Sequence, residues 1–201
     1  MHRHLIAILR GITTDEAAAV CDALLSAGIS QIEVPLNSPD PMCTIEMIVK
    51  QYGADARIGA GTVLTCADVD MLAEIGAHMV ISPNMNPEVI ARTKQLGLMS
   101  CPGILTPTEG FAALAAGADM LKLFPADIVG PSGVKALRAV LPADVKLAAV
   151  GGVGPGKLSV WAEAGITAFA IGSSLYKPCM SSADVGAVAR QLVAEYDGLT
   201  R

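Results

Sequence analysis

The stretch "MLKLFP", residues 120–125, is one of eight short apolar runs whose common pattern predicts the fold. A short apolar run ends in Gly, Pro or polar residues, and an Ala- and Leu-rich stretch of helical character follows. A strand followed by a helix, eight times, is the pattern of a (β/α)8 barrel. The other seven runs are "LIAIL" (5–9), "IEVPL" (32–36), "ARIGAG" (56–61), "MVISP" (79–83), "LMSCP" (98–102), "KLAAV" (146–150) and "AFAIG" (168–172).

The stretches between these runs carry helix start and stop signals. In residues 13–28, Thr13 or Thr14 is suited to cap a helix N-terminus and Gly28 to end the helix. Residues 87–97 begin with Pro87, which favours the first turn of a helix. We therefore predict helices in both stretches.

The whole chain, residues 1–201, is predicted to form a single α/β domain, a (β/α)8 TIM barrel. Its 201 residues are near the short limit for that fold. The sequence contains no linker, no low-complexity segment and no second-domain boundary. A doubly wound open sheet is the alternative, because strand–helix repeats alone do not prove that the sheet closes.

Charge and hydropathy exclude several classes of function. The net charge of -5 and the absence of a run of Lys and Arg argue against nucleic acid as a partner. The apolar run at residues 5–9 is shorter than the hydrophobic region of a signal peptide, and no stretch approaches the length of a membrane span. We expect a cytoplasmic protein without a membrane partner.

The cysteine and histidine residues suggest neither disulfides nor a metal site. Five cysteines are an odd number, and they form no C-x-x-C motif, so we expect reduced thiols that are mostly buried. His2 and His4 lie at a chain terminus, where fraying is more common than metal binding. The segment "GAGTVL" (59–64) lacks the glycine spacing of a dinucleotide site. We predict no metal and no cofactor.

Lys122 interrupts an apolar strand in a chain that has only 14 Lys and Arg residues. Side chains alternate along a strand, so Lys122 points into the barrel together with Met120 and Phe124, and the leucines between them face the helices. The converse arrangement would bury an ammonium group under helices. The same alternation turns Glu33 inward in the second run. Strands two and six stand opposite each other, so Lys122 and Glu33 are predicted to meet across the mouth.

Such a pair supports amine chemistry. A free lysine has a pKa of about 10.4, and desolvation lowers this value by up to about 3 to 5 units, which makes the amine nucleophilic. A neutral amine attacks a ketone to give a Schiff base, and a nearby carboxylate moves the protons of each step. The alternative is a structural salt bridge between Lys122 and Glu33 inside the barrel.

Two glycine-ended runs form a second constellation. "VGGV" (150–153) and "IGSS" (171–174) follow strands seven and eight, where many barrels bind phosphate with backbone N–H groups. Glycines that only make tight turns are the alternative for either motif alone. Together, the two motifs favour a phosphate site.

The chain resembles a known family across essentially its full length. "IEVPLNSP", "IGAGTVL", "ISPN", "CPG", "LKLFPA", "AVGG" and "IGSSLY" occur in the order and approximate spacing of the class I aldolases that cleave 2-keto-3-deoxy-6-phospho sugar acids, the KDPG and KDPGal aldolases. The resemblance implies a (β/α)8 barrel, a homotrimer and a metal-independent cleavage of a phosphorylated 2-keto-3-deoxy sugar acid to pyruvate and glyceraldehyde 3-phosphate.

The resemblance also implies roles for individual residues. Lys122 resembles the Schiff-base lysine and Glu33 the general acid/base. Thr62, with the backbone of Gly61, resembles the site for the pyruvate carboxylate, and Arg10 matches an active-site arginine. The residues that match the phosphate site are Gly151, Gly152, Gly172 and Ser173.

Two positions depart from the KDPG branch of this family. Asn37 stands where that branch has an arginine, and Val150 stands where it has a threonine. Both differences resemble the KDPGal branch, whose substrate differs in configuration at C4. We therefore predict 2-dehydro-3-deoxy-6-phosphogalactonate (KDPGal) as the substrate.

Several alternatives remain at this point. An aldolase for the gluconate epimer (KDPG) or for 4-hydroxy-2-oxoglutarate fits the same motifs. A non-catalytic phospho-sugar-binding barrel would keep the phosphate glycines but would not need Lys122 facing Glu33. A barrel isomerase or decarboxylase would use Lys122 as a proton donor, and borohydride trapping separates that case from an aldolase.

Overall fold

The computed structural model describes residues 3–199 and contains, within that range, nine parallel strands in one sheet. All eight apolar runs of the sequence coincide with strands. The strands are β1 (Leu5–Ile8), β2 (Gln31–Pro35), β3 (Arg57–Gly61), β4 (Met79–Ile81), β5 (Met99–Cys101), β6 (Gly103–Ile104), β7 (Leu121–Leu123), β8 (Leu147–Val150) and β9 (Ala168–Ile171).

Helices alternate with these strands and cover the outside of the sheet. No helix in the described range is long and apolar enough to cross a membrane. The helices are α1 (Thr14–Ala27), α2 (Pro41–Tyr52), α3 (Cys66–Glu74), α4 (Pro87–Gln95), α5 (Pro107–Ala115), α6 (Ala126–Arg138), α7 (Leu158–Glu163) and α8 (Ser182–Asp197).

The sheet closes into a barrel through a strand that is broken in two. The strand order runs from β5 through β4 to β1 and from β9 to β6, so β5 and β6 stand at its two ends. Only Pro102 separates them in the chain, and Pro102 has no N–H for the ladder. Its carbonyl still accepts a hydrogen bond from Lys122 N at 2.9 Å. The nine segments thus form eight strand positions, which confirms the (β/α)8 barrel over the open sheet.

The predicted helix boundaries hold closely at two helices. Thr13 is the N-cap of α1, and Gly28 ends it with a φ of 98°, a left-handed conformation that favours glycine. Pro87 begins α4 and Asn86 caps it, but α4 ends at Gln95, before the predicted Gly97. The prediction of helices in these stretches is therefore confirmed.

Apolar side chains form two separate layers around the strands. Leu121 and Leu123 belong to the large core between sheet and helices, whereas Met120 belongs to a smaller cluster inside the barrel. This arrangement confirms the predicted alternation along the sixth strand position. The interior cluster includes Ile8 and Val150, so an apolar floor lies beneath the mouth.

The cysteines are all free, as expected, but they are not mostly buried. Cys21 and Cys101 are buried, Cys66 is half-buried, and Cys43 and Cys179 are exposed. The expectation of burial was wrong because two of the five lie outside the strands and helix faces that form the core.

Candidate active site

Lys122 lies in β7 with its side chain inside the barrel, and only 6% of the residue is exposed. Its Nζ lies 4.9 Å from the centre of the Phe124 ring, which covers the amine from the side of the mouth. The face of an aromatic ring attracts a cation at this distance. The nitrogen therefore sits in a nearly closed chamber that accommodates positive charge.

Glu33 lies in β2 and is 2% exposed. Burial raises the pKa of its carboxyl above the usual value, and the charges of Lys122 and Arg10 oppose that rise. The Oε2 atom is buried and has no hydrogen-bond partner among residues 3–199. A buried acceptor without a partner is costly, which is typical of groups reserved for a ligand or a reaction.

The carboxyl of Glu33 rests directly on the backbone of Gly61. A Cβ atom at Gly61 would lie 1.4 Å from Oε2 of Glu33, so only glycine leaves room for the carboxyl in this position. Gly61 is the last residue of β3, and its carbonyl accepts a hydrogen bond from Leu36 N at 2.8 Å. The strand end and the carboxyl are therefore fixed relative to each other.

The charge of Lys122 influences the carboxyl of Glu33, but the two side chains do not form a salt bridge. Neither an ion pair nor a hydrogen bond joins their side chains within the described part of the chain. Burial raises the pKa of the Cys101 thiol to about 12, whereas the charges of Lys122 and Glu33 act on it in opposite directions, so the thiol stays neutral. The alternative of a structural ion pair is therefore wrong. The arrangement leaves both groups available to a substrate.

Thr62, directly after Gly61, adopts a φ of 59°. The left-handed region is unfavourable for a β-branched residue, and such strain is concentrated at functional sites. Val63 N donates to Ile81 O at 3.2 Å, which helps to hold the turn. Thr62 is only half-buried, so its hydroxyl and backbone are accessible beside Glu33.

Arg10 follows β1 at the rim of the mouth and is exposed. Its Nη1 donates a hydrogen bond to Oδ1 of Asn37, which follows β2. The sequence marked Asn37 only as a departure from a family pattern. In the structure, Asn37 orients the guanidinium of Arg10 on the same side of the mouth as Glu33.

A cavity of about 310 Å³ opens at the C-terminal ends of the strands. Its wall contains two glycines with a positive φ, Gly151 (102°) and Gly152 (69°). Because residues with a side chain rarely adopt this conformation, the backbone itself forms this part of the wall. Six of the residues predicted from the sequence line this cavity, namely Arg10, Val150, Gly151, Gly152, Gly172 and Ser173.

Free backbone donors surround one end of this cavity. The N–H groups of Gly151, Gly152, Gly172 and Ser173 donate no hydrogen bond within residues 3–199. Consecutive N–H groups without partners form an anion-binding concavity. The Ser174 hydroxyl donates to Val153 O at 3.0 Å and so braces the two loops, whereas the Ser173 hydroxyl has no partner there.

The structure brings the predicted residues to one mouth but in two groups. Lys122, Glu33, Gly61 and Thr62 do not line the cavity. Phe124 joins the two groups, because it lines the cavity and also contacts the Lys122 amine. The candidate site therefore consists of a closed chamber that holds Lys122 and Glu33, beside a cavity that is lined by free backbone N–H groups.

Sequence reasoning missed one charged residue of the cavity wall. Lys177 lines the cavity, together with its neighbours Tyr176 and Pro178. The signal was present in the sequence, because "SSLYKP" continues the glycine-ended run after the eighth strand position.

Two larger cavities lie at the other end of the barrel. They measure about 440 and 660 Å³, and Arg57, His78 and Lys146 line both of them. These residues stand at the starts of strands, away from every residue predicted to act. Chemistry on this fold sits at the C-terminal ends of the strands, so the smaller cavity is the better candidate.

No group of three or more His, Cys, Asp or Glu residues between positions 3 and 199 could hold a metal ion. His4 lies within this range, whereas His2, the other half of the H-x-H motif, lies outside the described residues.

Three comparisons relate the chain to known proteins. A family model described as KDPG and KHG aldolase matches residues 1–191. A probable 2-dehydro-3-deoxy-6-phosphogalactonate aldolase of Rhizobium meliloti is 51% identical over 99% of this chain and 94% of its own length. The 2-dehydro-3-deoxy-6-phosphogalactonate aldolase of Escherichia coli is 47% identical over 96% of this chain and 94% of its own. A solved structure described as native KDPGal is also 47% identical, with a TM-score of 0.95 over 96% of this chain and 94% of that one.

Proposed function

The chain belongs to the KDPG and KHG aldolase family, and from this premise we propose that it is a class I aldolase that cleaves KDPGal to pyruvate and D-glyceraldehyde 3-phosphate. The observation that carries the proposal is the buried Lys122 amine opposite the buried, unpartnered carboxyl of Glu33. Two relatives that the chain matches over nearly its full length carry the name of this activity.

The reaction begins at Lys122. Its neutral amine adds to the C2 carbonyl of the substrate, and loss of water leaves a protonated imine that carries the positive charge at the same nitrogen. The Phe124 ring, 4.9 Å from that nitrogen, stabilises the cation. The imine then withdraws electrons from the C3–C4 bond, so the chemistry requires no metal.

Glu33 moves the protons. Its carboxylate accepts the proton of the C4 hydroxyl as the C3–C4 bond breaks, the aldehyde leaves, and the bonding electrons form an enamine on the lysine. The same carboxyl then returns the proton to C3, and water hydrolyses the imine to release pyruvate and the free amine. A carboxyl whose pKa is raised by burial is suited to both steps near neutral pH.

The ends of the substrate bind at the two groups of residues. The carboxylate of the keto acid accepts hydrogen bonds at Gly61 and Thr62, with Arg10 supplying positive charge. The phosphate accepts hydrogen bonds from the free N–H groups of the glycine loops and from Ser173. In this binding orientation, C4 of the substrate lies near Val150, which is 6% exposed and lines the cavity.

Borohydride trapping tests the proposed covalent step. With pyruvate and borohydride, the wild type should gain one reduced pyruvyl group on the peptide that carries Lys122, and Lys122→Ala should lose both label and turnover. Lys135 is an exposed lysine on α6, so Lys135→Ala should label and turn over like the wild type. Label on any other lysine would contradict the assignment.

A comparison of the two C4 epimers tests the substrate. A valine has the shape of threonine without its hydroxyl, so a substrate hydroxyl aimed at Val150 loses a partner at a cost of about 1 to 3 kcal/mol. We expect a higher kcat/KM for KDPGal than for KDPG, and we expect Val150→Thr to shift the ratio towards KDPG by roughly 5- to 150-fold. An unchanged ratio removes the role of Val150, and a strong preference of the wild type for KDPG contradicts the proposed substrate.

We also propose that the enzyme is a homotrimer. Five large apolar side chains of the described residues are exposed on or beside α5 and α6, and the most exposed of them is Ile128, at 73%. Large exposed apolar surfaces mark sites of protein association. Four of them lie in the first five residues of α5 and α6 or in the loops before these helices, which follow the neighbouring strands β6 and β7. We call these four residues the apolar patch: Leu105, Phe111, Phe124 and Ile128.

A further inference from the structure

We infer that Lys177 is a substrate-binding residue that supplies the positive charge for the phosphate end of the substrate. The inference deepens the proposed function and rests on it. Among residues 3–199, Lys177 and Arg10 are the two cationic residues that line the cavity, and no Asp or Glu residue of that range lines it.

The position of Lys177 follows from a turn that begins at the glycine loop. The carbonyl of Gly172 accepts hydrogen bonds from Leu175 N at 2.8 Å and from Tyr176 N at 3.0 Å. The N–H of the same Gly172 donates no hydrogen bond within residues 3–199, and Gly172 lines the cavity. Lys177 is therefore tied by a short, closed turn to one of the proposed phosphate donors.

The segment around Lys177 is anchored on both sides. Tyr176 is 3% exposed, and its hydroxyl donates to Glu16 at 3.4 Å. Pro178 packs on Gly11 so closely that a Cβ there would lie 2.9 Å from its Cγ. A lysine side chain is flexible, but its backbone is held in place, so little further ordering is needed when the ammonium meets an anion.

The Lys177 ammonium is free to bind a ligand. Lys177 is exposed and forms neither an ion pair nor a hydrogen bond through its ammonium with any residue in the described range. Asp127 is the carboxylate nearest to the glycine pair, 3.2 Å from where a Cβ of Gly151 would lie, but it does not line the cavity. An anion in the cavity thus meets Lys177 without a competing carboxylate in the wall.

The two cations divide between the two charged ends of the substrate. Arg10 donates a hydrogen bond to Asn37, and its charge influences the carboxyl of Glu33. We therefore assign its charge to the carboxylate end of the substrate, where the reaction occurs. Lys177 follows β9 and the phosphate glycines, so its charge belongs to the other end. Neutral N–H donors fix the geometry of a phosphate, and a lysine adds the charge that they lack.

Substitution of Lys177 separates the phosphate end from the rest of the substrate. We expect Lys177→Gln to lower kcat/KM for KDPGal by roughly 5- to 50-fold, mainly through KM, because a hydrogen bond to a charged group is lost at a partly exposed site. For the unphosphorylated substrate, kcat/KM of Lys177→Gln should differ from that of the wild type by less than about 2-fold. Lys177→Arg should restore most of the loss, and the salt dependence of kcat/KM should be shallower in Lys177→Gln than in the wild type.

Titration with inorganic phosphate by calorimetry tests the same residue without turnover. Lys177→Gln should bind phosphate more weakly than the wild type, as should Ser173→Asp, whereas Lys135→Gln on α6 should match the wild type. Equal losses for phosphorylated and unphosphorylated substrates, or equal phosphate affinity in Lys177→Gln and Lys135→Gln, would overturn the inference. If the wild type cleaves neither epimer, the proposed function fails, while the phosphate titration still decides the role of Lys177.

Discussion

At the scale of single residues, Glu33 shows how strongly the surroundings decide what a side chain can do. The barrel removes its carboxyl from water, leaves Oε2 without a partner and sets two cations within electrostatic reach. Burial disfavours the charged form, and the cations restore part of it. A surface glutamate such as Glu74, at the end of α3, is by contrast exposed to water.

The first consequence concerns catalysis by Glu33. Glu33→Gln keeps the shape but cannot exchange the proton, so kcat should fall by about 10²- to 10⁴-fold. The base form is lost as pH falls through the raised pKa, so the acid limb of the wild-type kcat profile should lie above the usual carboxyl range. Glu74→Gln is the matched control and should follow the wild type. A Gln variant with full kcat and a raised KM would make Glu33 a binding residue.

The same pKa shift predicts a pH dependence of stability. A carboxyl whose pKa is raised by folding holds its proton more tightly in the folded state, so its favourable contribution is complete below the unfolded pKa and is lost as pH rises through the folded pKa. The unfolding temperature of Glu33→Gln should therefore rise relative to that of the wild type as pH rises. A constant difference between the two proteins across that range would contradict this sign.

At the scale of elements, local signals agree with the observed helix starts. Three helices begin with a capping box in which a threonine and an acidic residue exchange hydrogen bonds with each other's backbone, as at Thr106 and Glu109 of α5. The backbone N–H groups of Leu105 and Thr106 hold the pKa of Glu109 below its usual value. Such boxes satisfy the free donors of a helix start and can be read from the sequence, because they involve residues only three positions apart.

The strands show the limit of this local view. The alternation of "MLKLFP" places Met120 inside the barrel and its leucines outside, as predicted. The break at Pro102 into β5 and β6 was not predicted, although proline is visible in the sequence. Whether a proline ends a strand or interrupts it depends on the neighbouring strand, because only the partner ladder shows which hydrogen bonds continue.

At the scale of the whole molecule, the apolar patch lies beside the mouth of the barrel. Phe124 belongs to the patch and also covers the amine of Lys122, so the proposed association surface and the proposed active site share a residue. An association surface that includes the patch would shield Phe124 from water. We therefore expect the oligomer to support the closed chamber around the lysine.

The proposed trimer can be tested by the mass of the protein in solution. By light scattering after size exclusion, the wild type should have three times the chain mass of 20.6 kDa. Ile128→Glu buries a charge in the patch and should yield monomers, because an unpaired charge is costly in an interface. Val160→Glu is the control, since Val160 is 52% exposed on α7 outside the patch. A monomeric wild type, or a trimer unaffected by Ile128→Glu, would contradict the proposal.

Local patterns in the sequence were enough to predict the strand–helix repeats, the inward direction of Lys122 and the two glycine loops, because these depend on strand alternation and short motifs. The closure of the sheet into a barrel, rather than an open sheet, became visible only in the strand order. Family resemblance added the expected roles of Arg10 and Thr62. The tertiary structure alone decided that Glu33 lies on Gly61 without a salt bridge to Lys122, that Arg10 bonds to Asn37, and that Lys177 lines the cavity. The physical reason is distance along the chain. Alternation and capping act between near neighbours, whereas burial, desolvation and the meeting of charges depend on residues from different strands that only the closed barrel brings together.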